Sequence, residues 1–333
     1  MLMVPVEQAM EGDRLGRGIY AADGRLMLKE GVVLNDKLIE GIVRLGQKYI
    51  FVEPSERRAS ANGRPNKLSH MMDVTREMLE RIFQAVRQMK NIPVRPLLEW
   101  ADHVSEFVAS DTELTFSGKD LSDGPSELIS HSLNVCFLSL MTAKSLGYDK
   151  ARLEEVAIGS LLHDIGLVIP HDGSLLMHHP IVGYDMLRKI RGIPEGALRI
   201  VLQHHEQIDG HGFPYGIRDS QFAEAAQICG IASDFDYFMN ERVSGRLPSE
   251  GIDMVMSKID TSCTYAVANA FIRSFEPYPP GTLVVLTGGL TGEVRAVNKS
   301  NVCRPTVVLD RCNTRIDLMS HTTFRIEKVL YVR

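Results

Sequence analysis

Residues 153–166 read LEEVAIGSLLHDIG, an apolar helical pattern that ends in an adjacent His-Asp pair and a glycine. Such an apolar run of helical length predicts an α-helix that is largely buried. Neighbouring residues on a helix diverge by about 100°, so the side chains of His163 and Asp164 point in different directions. This adjacency favours a site with two metal ions, in which Asp164 bridges both ions and His163 binds one.

Histidine is concentrated around this pair. The chain has 11 His, and the segment from 131 to 211 contains His131, His163, His171, His178, His179, His204, His205 and His211. Ser126 is a candidate N-cap of a preceding helix, on which Glu127 and His131 are four residues apart and share one face. Clustering and paired spacing favour metal binding by five of these histidines. The five are His131, His163, His179, His204 and His205.

The chemistry of these side chains narrows the kind of metal. Imidazole and carboxylate donors without thiolate suit iron, manganese, zinc or nickel. The alternative is an all-α core in which the His pairs only hydrogen-bond to one another. That alternative requires several buried imidazoles to be satisfied without a metal, at a cost in desolvation.

Outside this segment the sequence predicts smaller units on both sides. The whole chain is expected to be mainly α, with a helical bundle, a small N-terminal α/β unit and a small C-terminal antiparallel β unit. The predicted boundaries are 1–54 for the N-terminal regulatory unit, 55–69 for a linker, 70–120 for a helical connector, 121–275 for the metal-binding domain and 276–333 for the β unit. Asp23-Gly24 predicts a hairpin in the first unit.

Composition excludes several classes of protein. The 333 residues carry a net charge of −5, which argues against a protein that binds a nucleic acid polymer. The five Cys show no CxxC spacing, so we expect a reducing compartment rather than a disulfide framework. A signal-peptide pattern and an apolar run of membrane-spanning length are both missing. We therefore expect a cytoplasmic protein that does not act at a membrane.

The motifs of residues 126–275 resemble those of the HD-GYP family, a group of metal-dependent HD phosphohydrolases. The resemblance rests on HSLNV (131–135), LLHDIG (161–166), HP with Gly183 (179–183), HHEQIDGHGFP (204–214) and Arg242. It implies an HD-type helical bundle that holds two, or in some members three, divalent metal ions. Iron is the first expectation and manganese is the alternative. It also implies hydrolysis of the bacterial second messenger cyclic di-GMP to linear pGpG, and in some members to GMP, by a metal-bridging hydroxide.

The resemblance also assigns roles to individual residues. Asp164 and His163 would be catalytic. The implied metal ligands are Glu127, His131, His163, Asp164, His179, His204, His205 and Asp234. The implied substrate-binding residues are Asp209, Gly210, Gly212, Phe213 and Pro214.

Three positions depart from the family pattern. Leu167 stands where the family usually has Lys, and Phe213 replaces the tyrosine of GYP. Ser233 occupies the position at which the family has a metal-binding Asp. Asp234 is next to that position and is kept as a ligand, whereas Asp236 is interpreted as structural. Two other functions therefore stay open: a weak or inactive metal-containing receptor of cyclic di-GMP, and a phosphohydrolase of another phosphoester. A homodimer or a signalling-protein partner is also considered.

Overall fold

The structure is a computed structural model, and it describes most of the chain. The described residues are 2–6, 9, 11–16, 18–20, 25–45, 49–53, 67–111, 114–118, 120–121, 126–169, 177–218, 221–240, 246–310 and 313–330. Within these ranges, no helix combines the length and the apolar character needed to cross a lipid bilayer.

The N-terminal residues build a small α/β unit. Its strands are β1 (Leu2–Pro5), β2 (Arg14–Leu15), β3 (Ile19–Tyr20), β4 (Leu26–Leu28) and β5 (Tyr49–Glu53), and its helix is α1 (Asp36–Arg44). β5 lies between β1 and β2 and is antiparallel to both. The Asn35 side chain caps α1 by accepting from the Leu38 amide at 3.0 Å. The predicted hairpin at Asp23-Gly24 lies outside the described residues.

Nine helices follow in the described part of the chain. They are α2 (Lys67–Arg87), α3 (Val94–Ser110), α4 (Glu127–Ser145), α5 (Lys150–Leu161), α6 (His179–Leu187), α7 (Glu195–Gln203), α8 (Glu224–Asn240), α9 (Pro248–Ser257) and α10 (Tyr265–Ser274). A 3-10 turn, Ile165–Val168, follows α5. A short parallel pair joins β6 (Phe116–Ser117) to β7 (Phe275–Glu276).

Helix α4 is the central helix of the bundle. Every residue from 129 to 143 is buried, and the helix packs against α5, α8 and α10. A helix buried all round needs apolar or small residues on every face, which explains its weak amphipathic pattern. Ser126 is its N-cap residue, as the sequence predicts, but its side chain makes no capping hydrogen bond.

The C-terminal residues build an antiparallel sheet. Its strands are β8 (Leu283–Leu286), β9 (Leu290–Ala296), β10 (Thr306–Leu309), β11 (Arg315–Asp317) and β12 (Ile326–Val329), arranged β11-β10-β9-β8-β12. Alternate residues of β8 and β10 are buried, as expected for a sheet with one covered face. The mainly α class with a small β unit at each end is therefore confirmed.

Two compact units account for the chain. One contains Met71–Pro279 and Ala296–Thr306, and the other contains Met1–His70, Pro280–Arg295 and Val307–Arg333. The finer domain boundaries stay a prediction.

Candidate metal centre

The carboxylate of Asp164 lies at the centre of four imidazoles. Helix α5 ends at Leu161, and the chain then turns so that both His163 and Asp164 face inward. The distances from imidazole Nε2 to an Asp164 oxygen are 3.0 Å for His179, 3.3 Å for His163, 3.6 Å for His204 and 3.7 Å for His131. All five side chains are buried.

These donors divide into two groups that share Asp164. The four-donor group consists of Asp164, His179, His204 and His205. The three-donor group consists of His131, His163 and Asp164. Within each group the ligand atoms lie within 4.8 Å of one another. The sequence placed all six residues in the metal site, and the structure brings all six together.

Backbone carbonyls fix the orientation of two imidazoles. His163 Nδ1 lies 2.8 Å from the Ser160 carbonyl oxygen, and His204 Nδ1 lies 2.9 Å from that of Val201. A carbonyl can only accept, so each Nδ1 carries the hydrogen and donates it. In the neutral imidazole, Nε2 then holds a lone pair directed at the cluster.

A carboxylate fixes His131 in the same way. Asp236 Oδ2 lies 2.7 Å from His131 Nδ1, and its other oxygen accepts from the amides of Asn134 at 2.7 Å and Asn240 at 2.8 Å. A carboxylate on the far nitrogen of a metal-binding imidazole orients the ring and makes it more basic. Asp236 is therefore a positioning residue, as the sequence indicates.

The facing nitrogens are suited to a cation. His131 and His163 Nε2 lie 3.2 Å apart, and His179 and His204 Nε2 lie 3.1 Å apart. The Nδ1 atoms of His131 and His163 both donate a hydrogen bond, so their Nε2 lone pairs repel each other unless a positive charge lies between them. The donor set thus fits divalent metal ions.

The local electrostatics also suit metal binding. Burial alone would raise the pKa of Asp164, but the imidazoles of His163, His179 and His204 hold that pKa well below its usual range. Burial lowers the pKa of His204 to about 4. Burial, with the nearby imidazoles of His204 and His179, lowers the pKa of His205 to about 2. At neutral pH the site therefore offers the ionised carboxylate of Asp164 and the unprotonated imidazoles of His204 and His205, the forms that bind metal.

Two glycines allow the backbone to approach the site closely. A Cβ on Gly166 would lie 2.2 Å from the carbonyl oxygen of His179, and one on Gly230 would lie 2.5 Å from that of His204. Any side chain at these positions would displace a histidine of the cluster. Close packing against His179, rather than the geometry of a turn, therefore requires glycine at position 166 of HDIG.

Two of the predicted ligands lie apart from both donor groups. Glu127 is exposed in the first turn of α4. Asp234 is half-buried, and its carboxylate pairs with the Lys258 ammonium group at 3.2 Å. The residue that points into the cluster from α8 is Ser233, whose Oγ lies 3.3 Å from His131 Nε2. The structure thus places Ser233 rather than Asp234 beside the three-donor group, because adjacent helical residues face different directions. The role of Asp234 as a ligand stays a prediction.

The predicted substrate-binding residues form one loop beside His205. The Phe213 ring stacks on the His205 imidazole, with centroids 4.4 Å apart and planes 18° apart. The Asp209 carboxylate accepts from the His211 amide at 2.9 Å, which lowers the pKa of Asp209. Gly210 has a positive φ of 78°, and Pro214 follows a cis peptide bond. The ligand-binding role of this loop stays a prediction.

Glu206 holds this loop in place. Its buried carboxylate accepts from the backbone amides of Tyr215 at 2.8 Å and Ile217 at 3.1 Å. A Cβ on Gly212 would lie 2.4 Å from the Glu206 Cα, so the loop folds directly onto this residue. Glu206 therefore positions Phe213 over His205 without being a metal donor itself.

Sequence reasoning did not single out Asn134 or Tyr237. The Tyr237 ring lies against His131, with centroids 4.1 Å apart. Partial burial and the carboxylates of Asp164, Asp236 and Glu127 raise the pKa of Tyr237, so its phenol stays protonated. The signal for Tyr237 was its spacing of four residues from Ser233, which places both on one face of α8.

Arg242, which the sequence motif includes, lies outside the described residues.

Comparisons with known proteins agree with this geometry. The HD domain family model matches residues 128–238. A cyclic di-GMP phosphodiesterase of Pseudomonas aeruginosa is 26% identical over 241 residues, covering 68% of this chain and 58% of that protein. The cyclic di-GMP phosphodiesterase response regulator of Xanthomonas campestris is 31% identical over 117 residues, covering 31% of each chain. The chain thus spans little more than half of the first relative's length.

A solved structure of similar fold is an HDG"Y"P protein from Bdellovibrio bacteriovorus. It has a TM-score of 0.50 and 16% identity, and the match covers 81% of this chain and 97% of that one. The fold and the cluster of imidazoles around one aspartate define a metal-binding HD domain. Residues 128–238 match the HD domain family model, and the motifs of this segment resemble those of the HD-GYP family, with GFP in place of GYP.

Proposed function

We propose that this chain is a metal-dependent phosphodiesterase that hydrolyses cyclic di-GMP to linear pGpG, with further hydrolysis to GMP as a second step. The observation that carries the proposal is the Asp164 carboxylate shared by two donor groups. Relatives named cyclic di-GMP phosphodiesterases contain matching segments, which supports the choice of substrate.

The two donor groups would each hold one divalent ion, with iron preferred and manganese as the alternative. Ions in such a site acidify water and neutralise charge on a phosphoryl group. Imidazole and carboxylate are the donors in both groups, and neither group includes a described cysteine. A third ion at Glu127 would need further donors, since Glu127 lies outside both groups.

The chain itself contributes orientation and charge. Ser160, Val201 and Asp236 hold three imidazoles with Nε2 toward the centre, so little reorganisation is needed when substrate binds. Glu206 fixes the loop whose Phe213 ring borders His205. Asp209, Gly210, Gly212 and Pro214 belong to this loop, which would contact the nucleotide.

Leu167 would lower the rate. It is half-buried in the 3-10 turn and offers no positive charge to the reacting phosphate. Loss of one such charge-stabilising group costs a factor of about 100–1,000 in rate. We therefore expect slow turnover.

The decisive experiment is nucleotide analysis after incubation with cyclic di-GMP. The protein is purified without oxygen and loaded with Fe(II) or Mn(II), and bound metal is measured in the same sample. Linear product that is formed by this protein, and not by a His163→Ala variant, is the expected result. A protein that holds two metals per chain and leaves cyclic di-GMP intact would contradict the proposal.

A second candidate is a receptor that binds cyclic di-GMP without cleaving it. It is favoured by Ser233, whose neutral hydroxyl stands beside the three-donor group in place of a carboxylate. Tight binding without product would support this function. A panel of other phosphoesters in the same assay tests the third possibility, that the site hydrolyses a different substrate.

A further inference from the structure

Tyr237 lies at one end of the cluster and is open to solvent. It follows Asp236 on α8, and its ring centroid is 4.1 Å from that of His131, with planes 34° apart. More than half of the residue, 53%, is exposed. One part of the ring therefore contacts a cluster imidazole, while the rest is free to contact another molecule.

A second ring borders the other donor group. Phe213 stacks on His205, which belongs to the four-donor group, whereas Tyr237 packs on His131 of the three-donor group. Each donor group is thus in contact with one aromatic ring. A ring that served only to shield His131 would be buried, because shielding requires that water be excluded.

We propose that Tyr237 is a substrate-positioning residue that stacks on a planar base of the nucleotide whose phosphodiester lies at Asp164. This inference rests on the proposed function. It adds a base contact to the nucleotide contacts expected from the loop that contains Phe213. An aromatic ring stacks on any base through its π face. A nucleotide with two bases, one on each side of its phosphodiester, matches a site with one ring against each donor group.

The phenol hydroxyl has a secondary role in this proposal. Stacking depends on the ring, so Tyr237→Phe should keep the contact and Tyr237→Ala should remove it. The matched control is Tyr265→Ala, since Tyr265 is 65% exposed at the start of α10. Among the described ring contacts, none joins Tyr265 to the cluster.

The test measures binding of a non-hydrolysable phosphorothioate analogue of cyclic di-GMP by calorimetry, together with metal content. Tyr237→Ala is expected to weaken binding by at least about fivefold, the lower limit for loss of one base–aromatic stack. Tyr237→Phe and Tyr265→Ala are expected to stay within about twofold of wild type. Metal content should be the same in all four proteins.

Hydrolysis assays provide a second measurement. Tyr237→Ala should raise KM for cyclic di-GMP while leaving kcat nearly unchanged, and cleavage of a ribose phosphodiester that lacks bases should be unaffected. Equal losses on both substrates, loss of metal with binding, or unchanged binding would each overturn the proposal.

The outcomes also separate this inference from the proposed function. If wild type binds the analogue but cleaves no cyclic di-GMP, the proposed hydrolysis fails, and the binding comparison still decides the role of Tyr237. If metal-loaded wild type binds no cyclic di-GMP at all, both proposals are wrong.

Discussion

The two donor groups share Asp164 but differ in what completes them. The four-donor group adds three imidazoles to the shared carboxylate, whereas the three-donor group adds two. Next to the smaller group, α8 presents the Ser233 hydroxyl, which is neutral and a weaker ligand for divalent iron or manganese than a carboxylate. We infer that one fold can hold two ions with unequal affinity, and that the weaker site limits activity.

The largest effect is expected from Asp164→Asn, because this change weakens both groups at once. It removes the negative charge that both ions would share, and we expect loss of bound metal and a fall in activity of about a hundredfold or more. Metal analysis and nucleotide analysis measure the two effects. Asp234→Asn is the matched control, since Asp234 pairs with Lys258 and lies in neither group. Metal loss in that control would show that Asp234 is a ligand after all.

Single histidine changes should separate the two groups. His163→Ala leaves the three-donor group with two donors, and we expect metal content to fall from two ions to one per chain. His205→Ala leaves three donors in the other group, so the affinity for its ion should fall but the ion should stay bound. Metal titration of both variants measures the difference. Equal losses in both variants would mean that the groups do not bind independently.

A smaller effect is expected from Asp236→Asn. The change weakens the charged acceptor on His131 Nδ1, and loss of such an outer partner costs about 10–100-fold in metal affinity. Only binding of the ion in the three-donor group should be affected. A metal titration should therefore show one binding step of lower affinity and one step of unchanged affinity. A uniform loss of both ions would argue that Asp236 supports the fold as a whole.

The smallest change is expected from Ser233→Asp, and it is a gain. A carboxylate at this position would add a charged donor beside His131, and we expect about tenfold tighter binding at the weaker site. Ser233→Ala serves as the comparison, because it removes the hydroxyl and adds no donor. If Ser233→Asp binds metal no better than Ser233→Ala, the unequal affinity has another cause.

Much of the centre could be predicted from the sequence because its ligands come as local patterns. Adjacent pairs such as His163-Asp164 and His204-His205 follow apolar helices, and helix ends are where the buried faces of a bundle meet. The choice between Ser233 and Asp234 is not settled by a local pattern. Which residue of α8 faces the cluster depends on the rotation of that helix, and a shift of one residue changes the direction by about 100°.

The remaining contacts depend on tertiary packing. The bond from Asn134 to Asp236 joins residues 102 positions apart, and the approach of Gly166 to the His179 carbonyl joins two separate elements. No local pattern encodes either distance. The contact of Tyr237 with His131 is similar, although the helical spacing from Ser233 to Tyr237 could have indicated a shared face.

The facing Nε2 atoms of His131 and His163, and of His179 and His204, also affect folding. Each pair brings two ring nitrogens within 3.2 Å of each other in a buried site, an arrangement that a bound cation stabilises. A ligand that binds the folded chain raises its stability with the logarithm of the free ligand concentration. The metal supply of the cell would therefore set the chain's resistance to heat and to proteases, and a chelator should lower Tm before any substrate is added.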